Sequence, residues 1–104
     1  MTKEEAVAHL EALIHTIGNG VKEVQTVARR YRDAAWDPQR VAPQCSSAVA
    51  AAVSVQRSIR EKMRQISRMT DAECTQYLSM MIKDAESAAD TMRQRFEFIV
   101  RSYS

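Results

Sequence analysis

Apolar residues recur three and four positions apart through almost the whole chain, a period near 3.6 that only an α-helix can gather onto one side. The first run is Val7, Leu10, Ile14, Ile17, Val21, Val24, Ala28, Tyr31 and Ala35. A second holds Cys45, Ala48, Ala52, Val55, Ile59, Ile66 and Met69, interrupted where Lys62 takes a seam position beside Met63. The third, Cys74, Leu78, Ile82, Ala85, Ala89, Met92, Phe96, Ile99 and Tyr103, is the most regular. A helix with one apolar stripe must cover it against a neighbour. Three such stripes in 104 residues predict an all-α fold, an antiparallel bundle of three long helices over about 3–35, 43–69 and 71–103, forming one domain over residues 1–104.

Breakers and caps set those limits. Thr2 with Glu5, and Thr70 with Glu73, have the spacing of a capping box, in which the threonine hydroxyl and the glutamate carboxylate satisfy each other's backbone N–H groups. Trp36-Asp37-Pro38 through Pro43 holds both prolines of the chain, so the first reversal is expected there, with Asp37 capping a short turn at Pro38 and Pro43 opening the second helix. Gly18-Asn19-Gly20 is a turn signal, and each glycine costs a helix about 1 kcal/mol against alanine. The heptad phase nevertheless passes through it unshifted. The first helix is therefore expected to continue, with a kink or break admitted at Gly18–Gly20, and changing both glycines to alanine is expected to raise the melting temperature if it does continue.

In an antiparallel bundle the small residues Ala48 to Ala52 are expected beside Tyr31, Trp36, Phe96, Ile99 and Tyr103. Leu10, Leu13 and Ile14 are expected to meet Met63, Ile66 and Met69 together with Leu78, Met81 and Ile82. The flanking apolar positions Leu13, Val27, Val49, Met81 and Val100 widen each stripe beyond a bare coiled-coil edge, and part of that width is read as interface.

Several chemistries find no support. The two cysteines, Cys45 and Cys74, fall near the starts of helices running in opposite directions, too far apart for a disulfide, and are read as reduced thiols. His9 and His15 lie six apart on different sides of one helix, with Glu5 and Glu11 at helical spacing, which reads as surface pairing and not as a metal site. Two glycines leave little for a phosphate-cradling loop, and no nucleophile stands beside a base; no enzyme and no cofactor are expected. No apolar run approaches the roughly 20 residues of a membrane span and the first residues carry no export segment, so a cytoplasmic protein without membrane association is expected.

Charge is the remaining clue. The formal net charge is +2, but residues 37–69 carry six Lys/Arg against two Asp/Glu. Arg57, Arg60, Arg64 and Arg68 share the outward side of the second helix, and Arg29 and Arg30, with Arg32 beside them, form a smaller basic cluster near the end of the first. Arg32 stands four residues before Trp36, the spacing of a cation–ring contact. The expected function is a non-enzymatic protein-interaction module of adaptor, chaperone, immunity or inhibitor type, regulatory in role, binding a larger protein and with a homodimer as one form. Nucleic-acid binding through the second helix is the alternative.

Overall fold

The computed structural model describes residues 1–34 and 38–103, with the backbone alone over 32–34 and 38–39. Three helices follow one another, α1 over Lys3–Ala34, α2 over Pro38–Arg68 and α3 over Asp71–Tyr103, with no strand among the described residues. They form a rod of 57 × 18 × 16 Å.

Cross-helix contacts fix the directions. Gln56 Nε2 donates to the Ile14 carbonyl at 3.1 Å and Arg95 donates to Ser47 Oγ at 2.9 Å, so rising numbers on α2 meet falling numbers on both neighbours. His9 lies 3.3 Å from Glu86, and the Tyr31 and Tyr103 rings meet edge to face at 5.5 Å, so α1 and α3 run parallel. The path is up, down, up, with α2 and α3 approaching each other less than either approaches α1.

Both capping boxes form. Thr2 N donates to Glu5 Oε1 at 3.2 Å and Glu5 N to Thr2 Oγ1 at 3.1 Å; Thr70 N donates to Glu73 Oε1 at 3.1 Å and Glu73 N to Thr70 Oγ1 at 3.2 Å. Each box partners two backbone N–H groups, one from the threonine and one from the glutamate, at the starts of α1 and α3.

The second helix begins five residues earlier than the sequence reading placed it, and Pro43 lies inside it. Pro43 forfeits the bond that an N–H there would give to the carbonyl four residues back, a cost of up to about 3 kcal/mol in a helix interior. The compensation is burial. Val41 and Cys45 are both 2 % exposed and carry the Ala48–Ala52 stripe back by two turns; a fully buried valine alone contributes about 1.5–2 kcal/mol. The expected reversal, the Asp37 cap, the Arg32–Trp36 contact and the packing of Trp36 lie outside the residues and side chains described.

Gly18-Asn19-Gly20 is helical throughout, so α1 is unbroken. Gly20 is a socket: a Cβ there would stand 2.6 Å from Phe96 Cε2 and 3.1 Å from Phe96 Cγ, so the α3 ring occupies the space a side chain would fill. At Gly18 a Cβ would meet only the Gln56 amide, at an ordinary 3.6 Å. The expected gain from replacing both glycines is therefore corrected, because only Gly18 has room.

One buried cluster runs through all three helices, from Ala6, Leu10, Ile66, Leu78 and Ile82 at one end to Val27, Val41, Cys45 and Ile99 at the other. The register of the cross-helix contacts sets Gly20, Ala48 to Ala52 and Phe96 at about one level, so small residues on two helices stand level with one ring of the third. Tyr31 and Tyr103 lie further along and close the end of the rod, about two turns beyond their expected level. Val27 is buried, and Leu13, Val49, Met81 and Val100 pack half-buried against the same core. The extra stripe width read as interface is used inside the molecule, because each helix must face two neighbours instead of one.

Candidate functional site

Successive steps of three and four residues keep Arg57, Arg60, Arg64 and Arg68 on one side of α2, and all four side chains are exposed. Arg64 Nη1 reaches Glu61 Oε2 at 2.9 Å. Arg57, Arg60 and Arg68 have no carboxylate partner among the described residues. Arg93 on α3 makes the contrast plain, since it bridges Asp90 at 2.6 Å and Glu97 at 2.8 Å, which raises its pKa chiefly through those hydrogen bonds.

The row costs the fold something. Arg57/Arg60, Arg60/Arg64 and Arg64/Arg68 are like-charged neighbours at helical spacing, each destabilising by about 0.2–0.5 kcal/mol. Arg68 in the last turn recovers a little by facing the negative end of the helix dipole. Val53 stands one turn before Arg57 on the same side and is 44 % exposed, which gives the basic face an apolar end.

At the other end Arg68 borders an open groove of about 420 Å³ between α2 and α3, where Gln65, Met69, Glu73, Tyr77, Met80 and Met81 also contribute. Tyr77 is 40 % exposed and Met80 56 %. Neither was singled out by sequence reasoning. A large apolar residue off the main seam was the only available signal, and it is weak because scattered exposed apolar residues are common.

Arg29 and Arg30 are exposed on α1, with Arg29 Nε donating to the Gln25 carbonyl at 3.5 Å. The antiparallel register places them level with the start of α2. They stand roughly 20–40 Å along the rod from the Arg57–Arg68 row at 1.5 Å per residue. The two basic clusters form no single surface.

His9 pairs with Glu86 of α3 and not with Glu5 of its own helix, and Glu5 is occupied by its cap. His15 is exposed. No group of three or more His, Cys, Asp or Glu side chains gathers for a metal ion among the described residues. Cys45 and Cys74 are free thiols, one buried and one half-buried, about 35 Å apart by register. Burial pushes the Cys45 pKa up. Cys74 lines an open groove of about 610 Å³ with Met1, Leu78, Ile82, Lys83 and Glu86. No helix among the described residues is long and apolar enough to cross a membrane. Comparison of the chain with family models, curated proteins and solved structures finds no match.

Proposed function

We propose that this chain is a non-enzymatic, regulatory interaction module whose α2 face docks on an acidic surface of a larger cytoplasmic protein, in the manner of an adaptor, chaperone, immunity factor or inhibitor. The observation that carries the reading is the arginine row. Three of its four guanidinium groups lack a carboxylate among the described residues, and keeping them together works against the stability of the helix. Guanidinium groups in a row suit paired hydrogen bonds to carboxylates. Exposed Val53 at one end and the Met69–Tyr77–Met80 groove at the other supply apolar contact of the kind found at the centres of protein interfaces.

The test is capture from a nuclease-treated lysate by the tagged chain, run beside Arg60→Glu/Arg64→Glu. A protein held by the parent chain and lost from the variant supports the reading. Retention of that protein by the variant refutes the docking face. Nucleic acid recovered from untreated lysate and released steeply with salt would replace the proposal with the phosphate-binding alternative.

A further inference from the structure

A second heptad pattern lies on α3, outside the core. Tyr77, Met80, Asp84, Ser87, Thr91, Arg95 and Phe98 follow one another at steps of three and four residues, so they share one side of the helix, and all are exposed. Phe98 is 64 % exposed and Met80 56 %. These positions share no side with the buried Leu78, Ile82, Ala85, Met92, Phe96 and Ile99.

Its order is self-complementary. Ser87 and Thr91 stand at the centre. Asp84 and Arg95 flank them at nearly equal distances with opposite charge, and Met80 and Phe98 follow at equal distances with apolar side chains. Asp84 has no partner among the described residues, and Arg95 holds only the Ser47 hydroxyl. Within one chain Asp84 and Arg95 are about 16 Å apart along the helix, so they cannot pair.

We infer that this chain forms a two-fold symmetric dimer in which α3 packs antiparallel on α3 of a second copy, about an axis between Ser87 and Thr91. Each two-fold contact then occurs twice. Asp84 meets the other copy's Arg95, and Phe98 enters the other copy's groove beside Met69, Tyr77 and Met80, whose volume is about 420 Å³. The small central side chains let the two helices approach closely. Met and aromatic residues at the ends supply the apolar area. The dimer shares the groove beside Met69, Tyr77 and Met80 with the proposed docking face but leaves Arg57, Arg60 and Arg64 untouched, and self-association is read without any other protein present, so its failure and the failure of the proposed function are distinguishable.

The test is sedimentation of the full chain across a concentration series, with Asp84→Arg, Arg95→Asp, the two together, and Phe98→Ser. The parent chain is expected as a dimer. Each single charge reversal should weaken self-association at least about tenfold by setting like charges opposite each other twice. The double reversal should restore it, and Phe98→Ser should weaken it. A monomer at every concentration overturns the proposal. A dimer indifferent to all four variants does so too, and so does a double reversal that fails to restore what each single reversal removed.

Discussion

Two glycines two residues apart differ in what they do, and the difference is measurable. Gly18→Ala should raise stability by up to about 1 kcal/mol, because the new methyl meets the Gln56 amide at ordinary distance and the helix gains propensity. Gly20→Ala should lower it by about 1–3 kcal/mol, because the Phe96 ring already fills the site. Thermal unfolding followed by circular dichroism reads both, and equal shifts of the same sign would refute the socket. The cap carboxylates act at the same scale. Backbone N–H donation from Thr2, then the Thr2 side chain, holds the Glu5 pKa below its usual value, and Thr70 does the same for Glu73, with Lys3 adding a small pull. A folded pKa below the unfolded one means a contribution that is complete above the ordinary glutamate value of about 4.3 and lost as pH falls through the lowered folded value. Glu5→Gln with Glu73→Gln should therefore cost stability at neutral pH and flatten the acid limb of a stability–pH profile.

Among the elements, α3 was legible to the residue, because a capping box and an unbroken heptad stripe agree on both its ends. The start of α2 was not. Pro43 is a strong local signal for a helix start, and it lost to Val41, whose burial is a tertiary fact that no local pattern announces. Continuity of α1 could be read from the heptad phase, but the reason Gly20 is tolerated sits on another helix. For the candidate site, the arginine row was legible from spacing alone. Its lack of partners, and the apolar groove at its end, needed the neighbouring helix to be placed. The row itself yields an expectation: Arg60→Glu should raise the melting temperature of the isolated protein by a few degrees, since it exchanges two like-charged neighbours for two opposite ones. The same change should weaken capture of the partner. A variant that is both more stable and less able to bind marks the row as kept for binding.

Across the whole molecule, the buried core is continuous from end to end and the two thiols report on it separately. Cys74, half-buried at a groove, should react with a maleimide in the native protein. Cys45, buried and with its thiol pKa pushed up, should react only as the bundle opens, and its rate should follow denaturant. Comparable native rates at both would mean that the end of the rod carrying Cys45 is not closed. Three passes also make an odd number. Whatever is joined ahead of α1 and whatever is joined behind α3 leave from opposite ends of a body 57 Å long. Joining those ends directly would take a connector of roughly 17 extended residues at about 3.4 Å each. The molecule is therefore a poor candidate for circular permutation and a good rigid spacer, able to hold two attached groups apart at a separation set by its own helices.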